Sequence, residues 1–229
     1  MHRTAVIIPA AGAGTRYGGR ENKIFRPLAG RPIFLRTLDL FADRPQVTQM
    51  LVTVSRADFS LMRDRYGAEL DRLEVELAAG GATRSESVAN ALAQVAEGTE
   101  LVCVHDAVRP CTAAEHIEAV FAEAVRRGAA ILASPVRPTL KRVENGRIVG
   151  TVDREGLWEA QTPQVFGLGV LRAAYASGGQ ATDDAALVEM AGHDVGVVAG
   201  DAMNIKITTP ADLAMAEAIL ASRAAGRET

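Results

Sequence analysis

Short aliphatic and β-branched runs recur along the chain, and between them apolar residues return every third or fourth position. Ala5–Ile8, Leu51–Val54, Leu101–Val104, Ala129–Ala133 and Val195–Val198 are nearly continuous apolar runs and predict strands buried on both faces. The intervening patterns predict helices at about Ile33–Phe41, Ser60–Tyr66, Ser85–Val95, Ala114–Arg127, Ala185–Met190 and Ala211–Ser222. In the fourth of these, Ile117, Val120, Phe121, Ala124 and Val125 form one apolar stripe. Strands alternating with helices predict an α/β fold, Rossmann-like, with a mostly parallel sheet covered by helices on both faces. One stretch breaks the rhythm. Thr139–Val143, the turn Glu144-Asn145-Gly146 and Arg147–Val152 read as a β-hairpin. Its strands are rich in Lys, Arg and Glu, so it is expected to project, as an arm at about residues 138–160, from a single domain spanning 1–229. A projecting arm is a common means of reaching a second subunit.

Composition narrows the picture. The 229 residues are 48% hydrophobic and 23% charged, enough for one well-filled core in a soluble protein. A formal charge of -3 argues against a general nucleic-acid binder, so an anionic ligand must be met by locally placed Arg and Lys. No basic leader with a long apolar stretch is present, and no run reaches the roughly 18–20 apolar residues of a membrane helix. A cytoplasmic location, without membrane partners, is the default expectation. Cys103 and Cys111 flank His105–Pro110 at no zinc spacing and read as reduced thiols.

Candidate chemistry begins after the first predicted strand. Pro9-Ala10-Ala11-Gly12-Ala13-Gly14-Thr15-Arg16-Tyr17-Gly18-Gly19, with Lys23 beyond it, is a glycine loop carrying two cations. Backbone N–H groups of such a loop can converge on a polyphosphate, and ligands of parallel sheets bind outside the carboxyl ends of the strands. No Gly-Lys-Ser/Thr follows, which excludes a Walker A loop; Tyr17 stands where a dinucleotide loop needs its third glycine. A loop that merely turns the chain is the bland alternative. Gly80-Gly81-Ala82-Thr83-Arg84-Ser85-Glu86-Ser87 permits close backbone approach, with Ser85 as cap of the next helix. There Gly81, Arg84 and Ser87 could read a base or ribose, or the segment could be a plain loop-to-helix junction. Asp106, at the end of a buried strand, suits a Mg²⁺ ion bridging phosphates, with Arg109 on a second phosphate; a structural Asp–Arg pair remains the alternative. His105 reads as a packed residue. Gln161–Gln164, Thr182–Ala185 and Asn204–Thr208 each have a bland reading too, as loop, helix cap and edge strand. No Ser/His/Asp or Cys/His arrangement indicates a covalent mechanism.

Taken in order, PAAGxGxRxG, Lys23, GGxxRxxSV, HDAxRP, TVDRxxLWxAQTPQ, TDDA and NIKIT resemble the 2-C-methyl-D-erythritol 4-phosphate cytidylyltransferase family, from about Thr4 to about Leu220. The resemblance implies transfer of CMP from CTP to methylerythritol phosphate with Mg²⁺, in non-mevalonate isoprenoid biosynthesis. It implies that Ala10, Ala11, Gly12, Gly81, Ala82 and Ser87 line a cytidine pocket; Arg84, from its place in the same loop, is expected to bind the nucleotide beside them. Arg16, Lys23 and Lys206 would carry the phosphate chemistry and Asp106 would contact Mg²⁺. Ala107, Arg109, Thr182 and Lys206 would border the sugar phosphate, with Thr139 and Arg154 offered by the arm of a partner in a homodimer. Two departures stand out. Asn22-Lys23-Ile24 replaces the usual Pro-Lys-Gln, which implies a looser or differently braced loop, and Ala82 replaces an acid found in some members. A related enzyme acting on another polyol phosphate, such as ribitol 5-phosphate, and a nucleotide-binding regulator without turnover are the competing readings.

Overall fold

Alternate residues of each central strand belong to two different cores, which is why the strands read as continuous apolar runs. Val6 and Ile8 pack into one core and Ala5 and Ile7 into the other; Val52 and Leu51, Cys103 and Val102, and Leu132 and Ile131 divide the same way. The computed structural model describes residues 2–12, 22–179 and 181–225.

In chain order the elements are β1 (Thr4–Pro9), a 3₁₀ turn (Lys23–Phe25), the short strands β2 (Pro27–Leu28) and β3 (Arg31–Pro32), α1 (Ile33–Ala42), β4 (Val47–Val54), α2 (Arg56–Arg72), β5 (Val75–Ala79) and α3 (Arg84–Leu92). There follow β6 (Leu101–Val104), α4 (Ala114–Arg127), β7 (Ala129–Pro135), β8 (Leu140–Glu144), β9 (Arg147–Val152), β10 (Trp158–Gly167), α5 (Leu168–Ala176), α6 (Asp184–Met190), β11 (Gly196–Ala199) and α7 (Pro210–Ala225). Seven strands form one sheet in the order β11-β7-β10-β6-β1-β4-β5. All neighbours run parallel except β10, which is antiparallel to β6 and β7. Helices α1, α2, α4 and α7 cover one face; α3, α5 and α6 cover the other. The expected α/β architecture is therefore observed.

Several elements differ from the sequence reading. β5, β10 and α5 have no counterpart in it. Glu76 interrupts the five-residue β5, and β10 breaks its apolar run with Gln161, Thr162 and Gln164, so neither carries a continuous strand signal. Gln161–Gln164 is thus strand rather than loop; it contains a cis Thr162–Pro163 peptide and the register shift between Ala160 and Gln164. Asn204–Thr208 is not an edge strand. α2 begins at Arg56, earlier than expected, because Ser55 accepts a hydrogen bond from the Asp58 N–H and caps it. The hairpin is present as a separate two-stranded sheet, with Asn145 and Gly146 both at positive φ (49° and 75°), as a tight primed turn requires.

Candidate active site

The carboxyl ends of β1, β4 and β5 build the floor of the site. The Ala10 N–H donates to the Thr53 carbonyl at 2.9 Å, and the Gly80 N–H donates to the Val54 carbonyl at 2.8 Å, so the loops after β1 and β5 are both pinned to β4. Gly80 is required there: a Cβ would stand 2.2 Å from the Ala11 Cβ and 3.0 Å from the Val54 carbonyl oxygen. The second loop enters α3 through Thr83, whose hydroxyl accepts the Glu86 N–H at 3.0 Å. Thr83, not Ser85, is the cap, because the chain is still extended at Thr83 and Ser85 already lies inside the helix. The Ser87 hydroxyl accepts from the Gly81 N–H (3.0 Å) and donates to the Thr83 carbonyl (2.8 Å), and Glu86 accepts the Ala82 N–H (2.7 Å). Ser87 therefore shapes this loop as well as lining the cavity above it.

Lys23 opens the 3₁₀ turn, and its position is set by Asn22. The Asn22 side chain donates to the Gly12 carbonyl (3.0 Å) and to Asp58 Oδ2 (3.2 Å), lies 3.5 Å from the Ala10 carbonyl, and caps the turn by accepting the Ile24 N–H (3.3 Å). Ile24 is buried in the core. The departure Asn22-Lys23-Ile24 is thus a different brace rather than a loose one. Arg16, which the sequence singled out for catalysis, lies outside the described residues.

Asp106 sits just past β6 at the centre of a charged cluster. Its Oδ2 meets Lys206 Nζ at 2.7 Å and Arg109 Nε at 3.5 Å, and its Oδ1 accepts from Arg84 Nε at 3.3 Å. Burial alone would raise its pKa, but Arg84, then Lys206 and Arg109, outweigh that and hold the carboxyl well below the usual range, firmly ionised. Burial likewise pulls the Arg84 pKa down, and Asp184 and Asp106 together more than reverse it. Behind the carboxylate, His105 is fully buried and packs edge-on against Phe41. Its Nε2 lies 3.1 Å from the Arg109 carbonyl and its Nδ1 3.1 Å from Thr162 Oγ1, which accepts the Asp106 N–H at 3.0 Å. This network assigns the proton to Nε2 and fits a neutral ring. Asn204 donates to the Thr162 carbonyl and to Gln161 Oε1 (both 3.0 Å), while its own carbonyl accepts from Arg109 Nη1 at 2.6 Å. Thus β10 and the 204–206 segment together fix the loop that carries Asp106 and Arg109.

Two cavities meet at this cluster. One of about 440 Å³ is lined by Ala10, Ala11 and Gly12 on one side, Gly81, Ala82 and Ser87 on another, and Lys23 at its edge. The second, of about 230 Å³, is lined by Arg109, Thr182, Asp183, Gln161 and Gln164. Arg84, Asp106 and Lys206 line both. A third, of about 810 Å³, adjoins through Arg109 and Lys206 and runs along the base of the hairpin.

The family model of 2-C-methyl-D-erythritol 4-phosphate cytidylyltransferase matches residues 4–222. The chain belongs to that family. A 2-C-methyl-D-erythritol 4-phosphate cytidylyltransferase of Rhodopirellula baltica is 45% identical to it over 229 residues, covering 94% of each chain. The crystal structure of the enzyme of that name from Thermus thermophilus superposes with a TM-score of 0.79 at 36% identity, covering 96% of this chain and 98% of that one. A 4-diphosphocytidyl-2C-methyl-D-erythritol synthase structure gives a TM-score of 0.83 at 34% identity, with 96% and 99% covered.

Within this cytidylyltransferase, Ala107 lies on the first cavity rather than the second. Thr139 and Arg154 are exposed and line neither. The sequence marked Asn22 only as a departure and Thr162 and Gln164 only within a segment with a bland reading, and it did not mark Tyr175. Polar residues inside the otherwise apolar run of β10 were the available signal for two of them. The thiols of Cys103 and Cys111 stay protonated: burial pushes Cys111 up to about 11 and Cys103 further.

Proposed function

We infer that this enzyme transfers CMP from CTP to 2-C-methyl-D-erythritol 4-phosphate, with the nucleotide in the cavity of about 440 Å³ and the polyol phosphate in that of about 230 Å³. The observation that carries this reading is the sharing of Arg84, Asp106 and Lys206 by two adjoining cavities. A triphosphate in one and a phosphate in the other face each other across the same charges. An acceptor phosphate oxygen attacks the α-phosphorus of CTP; the new O–P bond forms as the bond to the β-phosphate oxygen breaks, and its electron pair leaves on pyrophosphate. The attacking phosphate is already anionic, so no base is needed. Positioning and charge neutralisation supply the catalysis.

In this reading Ala10, Ala11, Gly12, Gly81, Ala82 and Ser87 enclose the cytidine. Lys23 and Arg16 hold the triphosphate, Lys206 stands between the reacting groups, and Arg109 and Thr182 bind the acceptor. Among the described residues no group of three or more His, Cys, Asp or Glu comes together that could hold a metal ion. A single, firmly ionised carboxylate fits a Mg²⁺ ion that arrives on phosphates rather than a resident one, and Asp106 would hold it. Such an ion neutralises phosphate charge when bound.

The arm is assigned to a homodimer. Val143, Ile148, Val149, Leu157 and Trp158 are exposed on or beside it, an unusual concentration for a hairpin otherwise so charged. Thr139 and Arg154 would then serve the site of a second copy. The direct test is pyrophosphate release with CTP and Mg²⁺, methylerythritol phosphate against ribitol 5-phosphate. Release with the first is expected. Release with only the second would reassign the acceptor, and release with neither would favour a non-catalytic nucleotide binder.

A further inference from the structure

Asp184, the first residue of α6, is a completely buried carboxylate joined to the charged cluster through Arg84. Its Oδ2 accepts from Arg84 Nη1 at 2.8 Å and its Oδ1 accepts from the Tyr175 hydroxyl at 2.6 Å. The other edge of the Arg84 guanidinium donates to Asp106 Oδ1 at 3.3 Å. A guanidinium is planar, so anchors on two edges fix its orientation as well as its position. A buried carboxylate is costly unless paired, which keeps Asp184 on Arg84. The adjoining Asp183 accepts from Gln164 at 2.8 Å and lines the smaller cavity with Thr182. The chain Tyr175–Asp184–Arg84–Asp106 therefore joins the wall of one cavity to the charge shared by both.

We propose that Tyr175 and Asp184 are positioning residues that hold Arg84 across the boundary of the two cavities, keeping it from turning both its N–H edges onto Asp106. Untethered, Arg84 would take the bidentate geometry that guanidinium and carboxylate favour. That would close Asp106 to a nucleotide-borne cation and remove a directed donor from the phosphates. The proposal rests on the cytidylyltransferase reading of the site.

A double-mutant cycle in binding of CTP with Mg²⁺, measured by titration calorimetry without acceptor, tests it. Tyr175→Phe keeps the ring and removes only the hydroxyl. It is expected to weaken binding by about 5- to 10-fold, the scale of one ordinary hydrogen bond, and Asp184→Asn by at least as much. In an Arg84→Ala background Tyr175→Phe should add less than about 2-fold, because the tether then has nothing to hold. Equal losses in both backgrounds, or no loss from Tyr175→Phe in the wild-type background, would overturn the tether and leave a packing role. Absence of CTP binding by the wild-type protein would overturn the underlying reading, and the tether with it.

Discussion

Lys23 opens a 3₁₀ turn whose place is set by its neighbour Asn22. In the proposed reading the Lys23 Nζ meets the phosphate only while the 3₁₀ turn stays fastened to the loop after β1, and Asn22 does the fastening through Gly12 and Asp58. Lys23→Ala should keep the fold and lower kcat by about 100-fold or more, as expected for a charge acting at the reacting centre. Near-normal turnover in steady-state assays would remove that role. Asn22→Asp is a harsher change than its size suggests. It replaces two donors with a carboxylate facing the Gly12 carbonyl and Asp58 at a buried site, which should cost about 2 kcal/mol of stability. Urea unfolding would show that loss, with a raised KM for CTP beside it. An unchanged midpoint and KM would mean that the brace is dispensable.

At the scale of elements, the cavity of about 440 Å³ exists because two loops cross the end of β4 almost in contact. Gly80→Ala puts a methyl group 2.2 Å from the Ala11 Cβ, and both loops are pinned by backbone hydrogen bonds, so one of them must move. The expected result is a KM for CTP raised by about 10-fold, roughly 1.4 kcal/mol of lost transition-state binding, with a smaller effect on the acceptor KM. Equal effects on both substrates would show that the movement reaches Asp106. The arm makes a separate prediction. Val143 pairs with Ile148 across β8 and β9, and both are more than half exposed. Ile148→Glu combined with Val143→Lys should give monomers by light scattering and lower turnover, without lowering the melting temperature of the main domain. A variant with the assembly state of the wild type would overturn the arm's assignment as an interface.

For the molecule as a whole, the same centre contributes to acid stability. Burial, against partly opposing bonds, pulls the His105 pKa down to about 4. The unfolded chain, with a pKa near 6.5, takes up the proton first. Stability is therefore complete above about pH 6.5 and falls by up to about 3 kcal/mol as the pH drops toward 4. Below that, the depressed Asp106 carboxyl adds a further loss as the unfolded state is protonated ahead of the folded one. Urea unfolding of the nucleotide-free protein at pH 7.5, 6 and 5 should show this slope, and His105→Gln should flatten it. A His105→Gln variant with the wild-type slope would place the titration elsewhere.

The pattern of residues determined a good deal at this scale. Continuous apolar runs such as Ala5–Ile8 and Leu101–Val104 require a strand covered on both faces, and helical stripes such as that of α4 require something to cover. Glycine loops and charges at the strand ends then mark one edge for an anion. Local periodicity carries that information because it depends only on neighbours in the chain. It does not say which strands lie side by side. β10 runs against its neighbours and carries Thr162 beneath Asp106, and nothing in the QTPQ run alone reveals that address. Asn22 reaches Gly12 and Asp58, and Tyr175 reaches Arg84 through Asp184. These are contacts between residues far apart in sequence, made by side chains whose types are common in loops and helix faces. The chemistry of the site was legible as a set of charges; their distances, and the braces that hold them apart, were decided only by packing seven strands in one order.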